Sequence, residues 1–203
     1  MVLLEPLVPT ITTIHTQLLQ APSVRWLIGG SCGLLMQNVD IGRSPRDLDI
    51  YVDLSDVAGI HTSLQDYSVD TPVLSQTVMY ASILSHYQIH GDMVEVVGDF
   101  KVQALDSAYQ VEVGFLWEHH SHLADIGKQE VKVMPLAHEL IFNLLRDRPD
   151  RYEAIYRTML ASPERHMQTL HVLLQRNRWG LDFQRKLECL IDSIRRNVPD
   201  DGR

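Results

Sequence analysis

The chain has 203 residues, 45% of them hydrophobic and 22% charged, with a formal net charge of −8; these proportions exclude a disordered chain, a collagen-like fibre and a disulfide miniprotein, and they allow one domain with an appendage or two small ones. No apolar run reaches the ~18 residues of a membrane helix, and the start, Met1-Val2-Leu3-Leu4-Glu5-Pro6, lacks the basic segment of a secretory signal. The two cysteines, Cys32 and Cys189, therefore read as free thiols in a reducing cytoplasm.

Thr10 to Gln20 carries Ile11, Ile14, Leu18 and Leu19 at helical period, and Ala21-Pro22-Ser23 ends that helix. Val24 to Ile28 reads as a short buried strand bounded by Gly29-Gly30, followed by a helix from Ser31 to Asn38. Leu48-Asp49-Ile50-Tyr51-Val52 alternates as a strand does, and Ser55 is placed to cap a helix running from Asp56 to Tyr67. A β-rich stretch follows: Thr77 to Ile89, a turn at His90-Gly91-Asp92, a strand from Met93 to Val97, an alternating run from Tyr109 to Phe115, and a last strand from Val131 to Met134. After Pro135 the pattern turns helical, over Leu136–Arg146, Pro149–Met159, Glu164–Arg176 and Asp182–Arg195, and the tail from Pro199 to Arg203 is expected to fray. The order predicts an α+β fold: a small mixed sheet with packed helices over residues 1–134, then a helical region over 135–203.

Charge divides the same way. Residues 1–133 hold six basic and sixteen acidic residues, a net of −10, and residues 134–203 hold twelve and ten, a net of +2. An acidic first part argues against an extended nucleic-acid surface and suits carboxylates gathered around cations; the arginine-rich second part can face anions. Two differently composed solvated surfaces would give the same split.

Three features carry chemistry. Strand–Gly29-Gly30-Ser31–helix lets a backbone approach a ligand closely and offers helix N–H groups and a hydroxyl to a phosphate, though a plain tight turn reads the same. Asp47 and Asp49, two apart on a strand, share one face; such a pair repels itself unless a cation sits between, and Mg²⁺ is held by one or two carboxylates plus substrate phosphates. The alternative is a solvent-facing edge. Glu95 lies alone between Val94 and Val96, facing away from both, and completes a three-carboxylate site if its strand neighbours that of Asp49; Asp92 competes for the role.

Together, Trp26-Leu27-Ile28-Gly29-Gly30-Ser31, then Arg46-Asp47-Leu48-Asp49-Ile50-Tyr51-Val52, then Glu95, resemble the DNA polymerase β-like nucleotidyltransferase superfamily, in its small antibiotic and minimal branch. The loop Gly42-Arg43-Ser44-Pro45-Arg46 is similar to the basic loop of the lincosamide and aminoglycoside members. The likeness spans roughly residues 20–100, and Pro135 to Leu140 is more weakly similar to the helix that opens the superfamily's C-terminal part. The resemblance implies transfer of NMP from an NTP with two Mg²⁺ ions. Asp47 and Asp49 would be metal ligands, Gly29, Gly30 and Ser31 the phosphate cradle, and Glu95 a metal ligand or the general base. Arg43 and Arg46 would contact the triphosphate or the leaving pyrophosphate; local salt bridges to Asp40 or Asp47 are the alternative. An acidic chain of this length suits a small-molecule or protein acceptor better than RNA. The competing reading is an inactive binding or regulatory module of the same fold, such as a toxin–antitoxin component, although such a copy has no physical reason to keep repelling carboxylates. Asn143, Arg146, Arg148 and Arg151 read first as solvated helix faces, with one of them reaching the nucleotide or the acceptor as the alternative; His119-His120-Ser121-His122 reads as a loop without metal, and Cys32 as buried packing.

Overall fold

The computed structural model describes the backbone of residues 2–197 and side chains from 4 to 193; the tail expected to fray lies outside the described residues. Eight strands, β1 (Trp26–Ile28), β2 (Leu48–Val52), β3 (Val73–Gln76), β4 (Tyr80–Ile89), β5 (Asp92–Ala104), β6 (Ser107–Gln110), β7 (His122–Ile126) and β8 (Gln129–Val133), form one sheet. Its order is β3-β4-β5-β2-β1-β8-β7, with β6 paired to β5. β2 runs parallel to β5 and antiparallel to β1. The helices are α1 (Val8–Leu18), α2 (Gly30–Met36), α3 (Val57–Ser63), α4 (Val113–His119), α5 (Leu136–Leu145), α6 (Pro149–Leu160), α7 (Pro163–Arg176) and α8 (Leu181–Asn197). This is the expected α+β arrangement of a mixed sheet with packed helices.

Period-2 alternation sends the two sides of each strand into different cores. Leu48, Ile50, Val52, Val94 and Val96 join Ile11, Ile14 and Ile60 of α1 and α3 on one face. Tyr51, Val97, Phe100 and Val102 pack on the other face against Leu140, Ile141, Ile155 and Phe183 of the C-terminal helices. One core thus runs across the junction near residue 134. Along β5 the pairing with β4 slips between Ala81 and Ile83, where Gly98 and Lys101 mark an extra residue on β5, and Asp99 takes φ +50°. This bulge is why Phe100 and Val102 lie on the same side of the sheet as Val97 although their parity differs.

Several elements differ from expectation. The alternating run Tyr109 to Phe115 is a strand only to Gln110; Val113-Gly114-Phe115 opens α4 because the Asp53 carboxylate accepts the N–H groups of Val113 (2.8 Å) and Gly114 (2.7 Å). Ser55 caps nothing: it sits in a 3₁₀ turn, Leu54–Asp56, and α3 is shorter than predicted. β3 and β7 were not foreseen. His119 ends α4 and His122 begins β7, so the histidine tract is split between a helix and a strand. Among the described residues no helix is long and apolar enough to cross a membrane.

Candidate functional site

Asp49 on β2 stands directly beside Glu95 on β5, and Glu95 stands beside His86 on β4. Adjacent strands lie ~4.8 Å apart, so the three side chains form a row across the sheet. Asp47 immediately precedes β2, its carbonyl accepting the Cys32 Sγ–H at 3.3 Å. Asp92, with the parity of Val94, faces the other way and accepts the Thr10 hydroxyl at 2.6 Å. Glu95 is therefore the third acid on the Asp49 face.

β1 brings the glycine turn to the same place. The Gly29 N–H donates to the Asp49 carbonyl at 3.0 Å. Gly30 has φ +57°, and a Cβ there would lie 1.9 Å from Asp49 Oδ2. Only glycine accommodates both the left-handed backbone and the carboxylate against it. The Gly30 N–H, expected to face phosphate, donates instead to Glu139 Oε1 of α5 at 2.7 Å. Glu139 is 1% exposed, and it was not singled out from sequence.

Four arginines face the carboxylates across a cavity of about 360 Å³ whose walls include Gly30, Ser31, Asp47, Asp49 and Glu95. Arg43 comes from the loop before β2; Arg146, Arg148 and Arg151 come from the end of α5 and the start of α6. The sequence reading of these last three as solvated faces is corrected here, because α5 and α6 dock that end onto the sheet. Arg151 is 2% exposed and reaches Ser31 Oγ at 3.3 Å through Nη2, while its Nε–H has no hydrogen-bond acceptor among the described residues. The nearest anion to that Nε is Asp150 Oδ2 at 3.8 Å. Asn143 is fully buried, tying Arg146 in place through its Oδ1 at 2.9 and 3.1 Å. The far wall is aromatic: Tyr80, Phe100 and Phe142 pack together, with the Arg146 guanidinium 4.3 Å over the Phe142 ring.

The charges are unbalanced locally. Burial, then repulsion from Asp47, Glu95 and Glu139, raises the Asp49 pKa from 3.8 to about 7. Burial and Asp47 push Glu95 upward. Burial raises Glu139 to about 7 against the Gly30 hydrogen bond and the nearby Arg146 and Arg151. Burial, with Arg43 and Arg148 as like charges, lowers Arg151. Arg148 is already paired with Asp150 at 2.6 Å, but the repelling carboxylates and the remaining arginines face the same space, and a divalent cation with a polyphosphate would relieve both. Among the described residues, no three acidic, histidine or cysteine side chains close around one point as a ready metal cage. Two carboxylates on one face could hold Mg²⁺ only together with oxygens from a substrate or water.

The remaining sequence candidates fall elsewhere. Arg46 is exposed and does not line the cavity. No salt bridge joins Arg43 or Arg46 to Asp40 or Asp47 among the described residues. Cys32 is fully buried, its thiol pushed up by burial. His119, His120 and His122 meet Arg165 and His166 of α7 in a separate surface pocket. A larger groove of about 780 Å³ along β5, β6 and the end of α7 holds one acid, Glu112, already held by Arg176 at 2.7 Å.

No family model and no curated protein matches the sequence. Solved structures do. A candidate nucleotidyltransferase from Thermotoga maritima is similar over 75% of this chain and 91% of its own, with 20% identity and a TM-score of 0.59. The antibiotic-resistance factor ANT(2″)-Ia, solved with adenylyl-2″-tobramycin, overlaps 82% of this chain and 93% of its own at 12% identity and a TM-score of 0.49, too distant to carry an argument. At such identity the likeness speaks to architecture alone: the chain has a nucleotidyltransferase-like fold.

Proposed function

We propose that the protein transfers a nucleoside monophosphate from an NTP to a hydroxyl of a small-molecule or protein acceptor. The observation that carries the reading is the opposition of Asp47, Asp49 and Glu95 to Arg43, Arg146, Arg148 and Arg151 across one cavity, with the buried Arg151 Nε–H left without an acceptor. Mg²⁺ ions held by Asp47 and Asp49, with Glu95 left as the base, would neutralise the charge that builds on the attacking and leaving oxygens. Ser31 Oγ and the arginines hold the β- and γ-phosphates, arginine being suited to phosphate by its fork of donors. Asp47 and Asp49 would act on the α-phosphate only through the cations they hold, since bare carboxylates repel it. As the new O–P bond forms at the α-phosphorus, the bond to the bridging oxygen breaks and pyrophosphate leaves towards the arginines. The hydroxyl proton passes to Glu95, whose raised affinity for protons suits it to the step. The aromatic wall gives the base or the acceptor an apolar face.

The test is thermal unfolding with each of the four NTPs, with and without Mg²⁺. At one hundred times the dissociation constant, a native-state ligand adds ~2.7 kcal/mol, or about 5–10 °C for a chain of this size. The shift should need Mg²⁺, vanish in Asp47→Asn/Asp49→Asn, and fall with an affinity loss of about 10–100-fold in Arg151→Leu, the loss of one or two charge-assisted hydrogen bonds. No shift with any nucleotide, or an equal shift in the double variant, defeats the proposal. Binding without pyrophosphate release across an acceptor panel would place the chain among binding modules instead.

A further inference from the structure

Behind the glycine turn sits a polar line that neither the metal ligands nor the phosphate contacts explain. Glu139 Oε1 accepts the Gly30 N–H at 2.7 Å from a helix more than a hundred residues away in sequence. The Glu139 carbonyl accepts the Asn143 amide at 2.7 Å, and Asn143 Oδ1 accepts Arg146 Nε and Nη2. Glu139 is 1% exposed and does not line the cavity, so it reaches Gly30 from within the protein. Gly30, in turn, is the wall against which the Asp49 carboxylate rests, with Oδ2 filling the place a Cβ would take. A glycine at φ +57° has several neighbouring conformations open to it, and nothing in its own side chain holds it in this one. Burying a carboxylate to fix one amide is unfavourable unless that amide must not move.

We infer that Glu139 is a positioning residue for the transfer site: by holding the Gly30 amide it fixes the wall that aims Asp49 at the metal. The role rests on the nucleotidyl-transfer reading above. Through Asn143 the same helix sets Arg146, so one turn of α5 registers the carboxylate side of the cavity against its arginine side. The Gly30 N–H is thereby committed to protein, as Arg146 is to Asn143 and Arg148 to Asp150, which leaves Ser31 and the Arg151 Nε–H as the uncommitted donors nearest the turn.

Groups that orient metal ligands from behind change metal affinity by about 10–100-fold when removed. The experiment is Mn²⁺ binding in the presence of ATP, followed by electron paramagnetic resonance of the free ion, with melting temperatures measured in parallel. Glu139→Ala should weaken Mn²⁺ binding at least about tenfold, and Glu139→Gln, which keeps the acceptor oxygen, should remain within about threefold of the parent. Gly30→Ala, whose Cβ drives Asp49 from its place with Glu139 intact, tests the wall itself; if Glu139→Ala does not fold, Glu139→Asp, whose carboxylate stops one methylene short of the Gly30 N–H, takes its place and should weaken Mn²⁺ binding likewise. Unchanged Mn²⁺ affinity in Glu139→Ala or Gly30→Ala, whatever the melting temperature does, reduces the contact to a structural tie and overturns the inference. A Gln variant as weak as the Ala variant overturns it too. A parent protein that binds no Mn²⁺ with ATP defeats the transfer reading and this role together; parent binding untouched by the variants defeats this role alone.

Discussion

Asp49→Asn separates the charge problem of the site from its chemistry. In the folded chain the Asp49 pKa is raised from 3.8 to about 7, first by burial and then by Asp47, Glu95 and Glu139. The folded state therefore keeps a proton on Asp49 that the unfolded chain releases above pH ~4. Stability falls as pH rises from about 4 to about 7 and levels off beyond. At ~1.4 kcal/mol per pH unit, the ionised group destabilises the metal-free fold by up to about 4 kcal/mol at pH 8, and neighbouring carboxylates that move apart reduce that figure. Asparagine has the same shape and no charge. It should raise the melting temperature in EDTA by several degrees at pH 8 and change it little at pH 4, since ~1 kcal/mol is worth about 2–4 °C in a chain of this size. The assay is thermal unfolding at pH 4, 6 and 8, in EDTA and in Mg²⁺ with NTP. Ligand should stabilise the parent and leave the variant unmoved, so that the parent regains at pH 8 what ionisation removed. A variant less stable than the parent at pH 8 in EDTA, or a gain equal at all three pH values, refutes the argument, because a carboxylate suited to metal must be unfavourable without it.

Two further outcomes follow from groups outside the carboxylate row. His138 is fully buried, donating to or accepting from the Tyr109 hydroxyl at 2.8 Å, and burial with the nearby Arg146 lowers its pKa from 6.5 to about 3; its contribution is fully present above pH 6.5 and is lost as pH falls from there towards 3, so His138→Gln should flatten the acid limb of a urea-unfolding profile in that window, and an unchanged limb would show that other groups set it. Asp53→Ala removes the carboxylate that accepts the Val113 and Gly114 N–H groups; it should cost about 1–2 kcal/mol in urea unfolding, with Asp53→Asn closer to the parent, and a loss below ~0.5 kcal/mol would mean that α4 is held by packing alone.

How much of this was legible depends on how far away each cause lies in sequence. β2 was readable to the residue because Leu48, Ile50 and Val52 alternate with Asp49 and Tyr51, and the same period placed Glu95 on the face away from Val94 and Val96. That Asp49 and Glu95 are direct neighbours is a matter of sheet order, which alternation cannot supply. The run from Tyr109 to Phe115 kept a strand's period yet turned helical at Val113, since the deciding carboxylate, Asp53, is sixty residues upstream. β3 was missed because Val73 and Leu74 are both exposed on an edge strand and show no alternation. Glu139 left a signal that was passed over: α5 is buried on every side, and a helix of that kind that still contains His138, Glu139 and Asn143 must satisfy them within the protein.

The arginines were passed over for a related reason: spacing along a helix cannot say which end docks on a sheet. Yet the composition carried the clue in another form. An acidic first part and a basic second part look like two solvated surfaces while the chain is read as a line. Folded, Asp47, Asp49 and Glu95 from the first meet Arg146, Arg148 and Arg151 from the second across about 360 Å³. Arg146 draws the Asp49 pKa down a little, but no salt bridge links the two groups among the described residues. Opposite charges held in one cavity but apart favour something between them that carries both signs. A polyphosphate with its divalent cations is such a ligand, with its metals towards the carboxylates and its oxygens towards the guanidinium groups. The separation that makes the ionised carboxylates unfavourable in EDTA at pH 8 is then the same feature that would orient the nucleotide, and this is why the metal-free stability of Asp49→Asn bears on function as well as on folding.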